Sequence, residues 1–432
     1  MGHSVHKTGE HVFGEIRVER YKLHNGLTVI IWEDHRAPVF SYQTWFGVGS
    51  RHEQPGRTGM AHLFEHLMFK ATKTMAEGEF DRVMEAAGAQ TNAATWVDWT
   101  YYREKLPAGS LDLVCKLESD RMENMILNHD QLESEREVVV NERLLRVDND
   151  PDGTLYERLY KIAYGDHPYS WPTIGWMEDI RAITLEDCFD FYRRYYAPNN
   201  ATVVVVGDVE TDEVLRVIES YYGHLKAQEL PDAGTPAEVT PSGPHRAELE
   251  LELSAERGIY GWHAVSGVDD DHAALQILDE VLTGGESSRL YKRLVIEDEL
   301  ATSCGGWIPA WRYPGLYEFG VHMRPDHTFA EAEVVIDEVI TKVLEEGITE
   351  RELLKAKNSL EVNFWRQLSD TGNRATALGD NAVTSGDIDR FFGRVEALRK
   401  VTCDDVQRVA RRILVPERLA CVLGRPMTQG AN

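Results

Sequence analysis

The chain of 432 residues is poor in three things, and each shortage excludes something. It has only five cysteines, Cys115, Cys188, Cys304, Cys403 and Cys421, an odd number without a C-x-x-C pair. That excludes a disulfide framework and a cysteine-rich zinc knot, and predicts reduced, mostly buried thiols in an intracellular protein. No run of 18 apolar residues occurs, and the opening MGHSVHKTGEHVFGE has neither an apolar core nor a small-residue cleavage site. The expectation is a soluble cytoplasmic protein without export signal or membrane anchor. Positive charge is also scarce: Lys+Arg 46 against Asp+Glu 72 gives a formal net charge of −26. Such a surface repels phosphate backbones and anionic lipid, which argues against nucleic acid and membranes as partners; an acidic cleft would favour basic peptides or a basic partner chain, although charge of this size is just as often only a solubility feature.

What is present reads as globular. With 42% hydrophobic and 27% charged residues the chain can bury a core along its whole length. That length exceeds one ordinary core, which predicts two domains or two fused copies of one. His3, His6 and His11 stand in a polar stretch, residues 1–15, that reads as a flexible tail rather than a metal site. The segment ELPDAGTPAEVTPSGPH, 229–245, is dense in proline and glycine and reads as a linker over 229–246. Domains are therefore expected at 16–228 and 247–432.

The two sides echo each other. ITLEDCFDFYRRYYAP, 183–198, aligns without a gap to VTCDDVQRVARRILVP, 401–416, with Thr184/Thr402, Asp187/Asp405, Arg193/Arg411, Arg194/Arg412 and Pro198/Pro416 identical. Each copy reads as a helix N-capped by threonine and stopped by proline, followed by an apolar strand, TVVVVGD or LACVLGR. The starts agree more loosely: LHNGLTVIIWED, with a tight turn at Asn25-Gly26, and FSYQTWFGVGS lead into one helix, while AELELELSAE and IYGWHAV lead into HAALQILDEVLTG. Strands, helices, a helix and a closing strand in each half predict an α+β fold of two related domains, each a mainly antiparallel sheet packed with helices.

The chemistry concentrates in HLFEHLMFK, 62–70. On a helix, positions i and i+4 share a face, so His62 and His66 can aim two imidazoles at one ion with Glu65 beside them. Two neutral imidazoles suit zinc, and a third protein ligand with an open fourth position makes a catalytic site. The blander reading is an amphipathic helix with two partly buried histidines. A third ligand is sought on QLESEREVVVNERLLR, 131–146, which offers Glu133, Glu135, Glu137 and Glu142; Glu135 and Glu142, two turns apart, share a face.

H-x-x-E-H is the inverted zincin motif. With GVGSRHE at 47–53, GMAHLFEHLMFKAT at 59–72, NAATWVDWTYY at 92–102, EREVVVNER at 135–143, HPYSWPTIG at 167–175 and YYAPNNATVVVVGD at 195–208, the chain resembles the pitrilysin and mitochondrial processing peptidase family of zinc metallopeptidases. The resemblance implies one zinc held by His62, His66 and Glu142, with Glu65 as catalytic base and Glu135 as a supporting acid. It implies that Phe69 lines the pocket beside the scissile bond. Asn92 and Ala93 would lie on an edge strand that receives the substrate peptide. Ala71 replaces the glycine usual in the family's K-G-T.

The second half departs from the family pattern. HAALQILDEVLTG has no H-x-x-E-H, and in GGESSRLYKRLVIEDELAT, 284–302, Val295 and Thr302 fall where the family's catalytic members carry an arginine and, seven residues later, a tyrosine. The residues seven before Tyr260, Tyr291, Tyr313 and Tyr317 are Leu253, Gly284, Gly306 and Ala310, so no other register restores the pair. The resemblance then implies a zinc-bearing endopeptidase subunit whose homologous non-zinc partner supplies arginine and tyrosine in a heterodimer, or otherwise a homodimer. Arg312 with Tyr313 or Tyr317 is the within-chain substitute. A non-catalytic assembly subunit of the same family is the alternative function.

Overall fold

A computed structural model describes residues 5–231, 235–236 and 239–427. The linker expectation therefore lies partly outside the described residues, at 232–234 and 237–238, as does His3 of the expected tail. The chain forms two compact units, and they are not its two contiguous halves. One comprises Met1–Glu142, Pro172–Thr235 and Gln367–Phe392; the other comprises Arg143–Trp171, Pro236–Arg366 and Gly393–Asn432.

The first unit holds a seven-stranded sheet in the order β1-β2-β3-β7-β4-β6-β5. Its strands are β1 (Val5–Phe13), β2 (Ile16–Leu23), β3 (Thr28–Glu33), β4 (Val39–Phe46), β5 (Gln90–Thr95), β6 (Thr100–Pro107) and β7 (Ala201–Gly207). Only β3 and β7 pair in parallel. The turn at Asn25-Gly26 joins β2 to β3 as an antiparallel pair, as its residue chemistry predicts. The expected flexible tail is corrected: residues 5–13 are strand β1, paired with β2, and His11 stacks on Phe392 at 4.2 Å while its Nδ1 bonds Asp389 at 2.6 Å. Backbone pairing and an aromatic partner distant in sequence hold a segment too polar to read as a strand.

Strands β4 and β7 run through the centre and are buried on both faces; β7 is apolar almost throughout, whereas β4 also buries Ser41, Gln43 and Thr44, whose polar groups find partners within the unit. The pleat alternates their contacts. Tyr42 faces the helix Thr211–Tyr222, its hydroxyl 2.8 Å from that of Tyr222. Gln43 and Trp45 face the helix Thr371–Thr384, where Gln43 Nε2 donates to Gly372 O at 3.0 Å. A side chain at Gly379 would stand 2.2 Å from the Trp45 ring, so only glycine permits this approach.

The second unit holds β8 (His245–Leu251), β9 (Arg257–His263), β10 (Ala301–Trp307), β11 (Leu316–Met323) and β12 (Leu419–Pro426), in the order β10-β11-β9-β12-β8. Only β12 and β8 are parallel. This order and these orientations repeat those of β5-β6-β4-β7-β3, so the fold is α+β with two related sheets. The paired Thr-capped helices are present, Leu185–Tyr195 and Cys403–Ile413, each with a reciprocal capping box, Thr184 with Asp187 and Thr402 with Asp405.

The expected boundaries 16–228 and 247–432 are corrected by exchange. The helix Pro151–Tyr164 comes from the first half of the chain but packs on the second unit's sheet, with Leu159 against Gly261 and Leu155 against Gly424. The helix Thr371–Thr384 comes from the second half and covers β4 and β7. Hydrophobic periodicity marks a face for burial without saying which sheet will bury it.

Candidate metal centre

The helix Met60–Leu67 turns the motif's spacing into geometry. Met60, Ala61, Leu63, Phe64 and Leu67 are buried, with Phe64 against Phe191, Tyr192 and Tyr196 at 5.6, 5.8 and 4.6 Å between ring centres. The same periodicity leaves His62, Glu65 and His66 on the partly open face. The helix start is fixed by Glu53, whose carboxylate accepts from Gly59 N at 2.8 Å and Ala61 N at 2.7 Å. Gly59 adopts φ 85°, a conformation that favours glycine.

The helix His129–Arg143 brings Glu135 and Glu142 alongside. Glu142 Oε2 lies 3.6 Å from His62 Nε2 and 3.4 Å from His66 Nε2. Ligand atoms bound to one tetrahedral zinc at about 2 Å stand about 3.3 Å apart, so the two nitrogens and the oxygen fit that ion. Their donor atoms all lie within 4.8 Å of one another. Glu135 Oε2 lies 3.4 Å from His66 Nδ1, the ring's other nitrogen, and Glu135 Oε1 lies 2.5 Å from Lys70 Nζ. A carboxylate behind a ligating histidine fixes its tautomer and orientation. Burial lowers the His66 pKa, but the bonds to Glu135 and Glu142 outweigh it and raise it to about 9. Burial likewise raises that of Glu135, and the bonds from His66 and Lys70 outweigh it and hold it down. The site thus carries excess negative charge that a divalent cation would neutralise. Among the described residues one other cluster could hold an ion, Glu33, His35 and Glu210, but it is wholly exposed and Glu33 Oε1 already accepts from Thr211 N at 2.7 Å.

Glu65 stands on the same helix face, and Thr95 Oγ1 donates to its Oε2 at 2.7 Å. Thr95 closes β5, the edge strand on which Asn92 and Ala93 also lie; Asn92 is exposed and Ala93 half-buried. Phe69 is half-buried, its ring 5.8 Å from Phe80 and 5.9 Å from Tyr102. Sequence reasoning missed Thr95 and Lys70. Lys70 carried a signal, four residues beyond His66, whereas Thr95 carried none, because its partner is set by strand register.

These distances gain meaning from likeness. The family described as Insulinase (Peptidase family M16) matches residues 28–175, which include every residue of the cluster, and the Peptidase M16 inactive domain matches 182–360. The zinc protease PqqE of Helicobacter pylori is 31% identical over 94% of this chain and 93% of its own length. The chain belongs to peptidase family M16.

An uncharacterized zinc protease of Mycobacterium leprae is 29% identical over 94% of this chain and 91% of its own length. The crystal structure of a protease from Helicobacter pylori superposes with a TM-score of 0.90 at 30% identity, covering 95% of this chain and 99% of that one. The M16 relatives named as zinc proteases thus match across both sheets. In this M16 chain Val295 is half-buried against the second unit's core and Thr302 is exposed on β10, its Oγ1 donating to His322 O at 3.1 Å. Tyr317 is 1% exposed within that core, beside Trp262, which removes it as a substitute donor to substrate. Arg312 is exposed and Tyr313 half-buried, in the same unit. Among the described residues no helix is long and apolar enough to cross a membrane.

Proposed function

We propose that this chain is a zinc-dependent endopeptidase acting on peptides or unfolded segments, with one zinc held by His62, His66 and Glu142. The observation that carries this reading is the convergence of both Nε2 atoms on one Glu142 oxygen with Glu65 on the same helix face. Zinc bound there would lower the pKa of a water and polarise the scissile carbonyl. Glu65 takes the proton released as the water oxygen attacks the carbonyl carbon, and returns it to the amine nitrogen as the C–N bond breaks. Thr95 holds Glu65 for both transfers by donating to its other oxygen. Glu135 orients His66 and is itself held by Lys70. The substrate pairs as an added strand along the open edge of β5 at Asn92 and Ala93, where main-chain bonds need no particular sequence. Phe69 faces the side chain next to the scissile bond.

The chain acts as the zinc-bearing subunit of a heterodimer. Val295 and Thr302 leave the second unit without the arginine and tyrosine that would hold the developing oxyanion, and losing one such donor costs about 10² to 10³ in rate. A homologous chain carrying Arg-x6-Tyr and no H-x-x-E-H supplies them. All five cysteines are free, which supports a reducing compartment, the cytoplasm.

The test is hydrolysis of an unstructured peptide by the purified zinc-loaded chain, alone and with a co-purifying homologue, before and after chelation. Turnover that needs both zinc and the partner is expected. Full activity alone would overturn the heterodimer, and no turnover in any pairing would leave a non-catalytic assembly subunit.

A further inference from the structure

Beneath Phe69, the first unit buries three charged side chains that this chemistry does not use. Arg121 is 1% exposed, Glu104 1% and Glu118 3%. The guanidinium carbon of Arg121 stands 5.0 Å from the centre of the Phe69 ring, 4.2 Å from that of Phe80 and 4.8 Å from that of Tyr102. Its Nη2 is paired with Glu118, Glu104 lies 3.6 Å away, and Glu118 accepts from Thr44 Oγ1 at 3.1 Å. Among the described residues no oxygen accepts from Arg121 Nε or Nη1, so aromatic faces cover them instead. Burial, then the neighbouring Glu118 charge, pushes the Glu104 carboxyl well above the usual range.

Removing such ions from water is costly, and apolar side chains of equal volume often serve stability as well or better. The geometry indicates another use. Phe69 follows the motif helix, its amide donating to His66 O at 3.1 Å, so its backbone moves only with a residue of the zinc cluster. Its ring is then fixed from below by the cation and at the side by Phe80 and Tyr102.

We propose that Arg121 is a positioning residue for substrate selection, locking the Phe69 ring and with it the shape of the pocket beside the scissile bond. This rests on the endopeptidase reading, in which Phe69 lines that pocket. A ring held by a cation and two neighbours cannot turn aside to admit side chains of different shape. Selection is therefore narrow, and loosening Arg121 broadens it.

The experiment measures kcat/KM on peptides that differ only in the residue after the cleaved bond: Phe, Leu, Ala or Lys. In the volume-preserving variant Glu104→Gln/Glu118→Gln/Arg121→Met, the ratio between best and worst peptide falls about tenfold, the scale of one pocket contact, while kcat on the best peptide stays within about threefold. Arg121→Lys keeps the charge but loses the planar face and falls between; it carries the test if the triple variant does not fold. Phe69→Leu also flattens the ratio, and adding the Arg121 changes to it alters nothing further. Unchanged ratios in a folded variant, or an undiminished effect in the Phe69→Leu background, would overturn the proposal. If the wild type cleaves none of the peptides in any pairing, the endopeptidase reading fails. Affinities of the same peptides for the zinc-loaded Glu65→Gln chain then decide the role of Arg121 by the same ratios.

Discussion

Two sheets with the same five-strand order carry helices of opposite character. Met60–Leu67, following β4, buries one stripe and leaves His62, Glu65 and His66 half open. The helix His272–Leu282, following β9, buries eight of its eleven residues, among them Ala273, Ala274, Leu275, Ile277, Leu278, Val281 and Leu282. Even His272 is drawn in, and burial pushes its pKa down to about 4. A neutral buried imidazole is a packing element, whereas an imidazole facing two carboxylates has the donors to share a cation with them. The scaffold permits either outcome, and the choice is made by a few side chains on one helix face.

The sharpest break of this contrast is a pair of carboxyl-to-amide changes. Glu65→Gln lowers kcat by about 10² to 10⁴ with zinc content unchanged, whereas Asp279→Asn on the second unit's helix leaves kcat within about twofold. Peptide turnover and metal analysis read both, and a large loss in Asp279→Asn would mean that the second helix is not merely packing.

Next in size are the exchanged helices, one per unit. Leu159→Ala, fully buried on the second sheet, costs about 2–5 kcal/mol. Gly379→Ala, against Trp45, costs about 1–3 kcal/mol. Amide exchange should lose protection first in β9 and β12 for Leu159→Ala and in β4 and β7 for Gly379→Ala; the reverse would sink the assignment of the helices. Glu135→Gln weakens zinc binding about 10- to 100-fold by releasing His66, which competition with a chelating dye reads directly.

A last contrast separates the units by pH. Burial raises the Glu318 pKa from 4.5 to about 8 against the opposing bond from Tyr160. A carboxyl that is neutral when folded stabilises the second unit below pH 4.5, and this contribution is lost as pH rises through 8. In the first unit, the bond from Arg36 and then that from Arg374 hold Asp34 well below the usual range. Its contribution is present above the ordinary carboxylate pKa and is lost on acidification. Urea midpoints between pH 5 and 9 should fall in the wild type and flatten in Glu318→Gln. An unchanged slope would place the titration elsewhere.

Local chemistry was legible where neighbours in sequence are neighbours in space. The Asn25-Gly26 turn, the threonine N-caps at Thr184 and Thr402, and the shared face of His62 and His66 all depend on spacings of one to four residues. Glu142 needed more: the helix gave its face, but only the family resemblance chose it over Glu135 as the candidate ligand. What could not be read depends on register or on distant partners. Thr95 meets Glu65 because β5 lies where it does, β1 is held by pairing with β2 and by the stack of His11 on Phe392, and the exchanged helices show a buried face without an address.

That exchange also sets an order of events during synthesis. The ribosome completes β4 some three hundred residues before it makes Gly379, the residue that lets a helix close over Trp45. Until then the central strands of the first sheet wait for their cover, a long-range closure of the kind that folds slowly and exposes apolar surface. A nascent chain with its histidines and glutamates already translated thus still lacks part of its first unit, which is complete only once nearly the whole polypeptide has emerged.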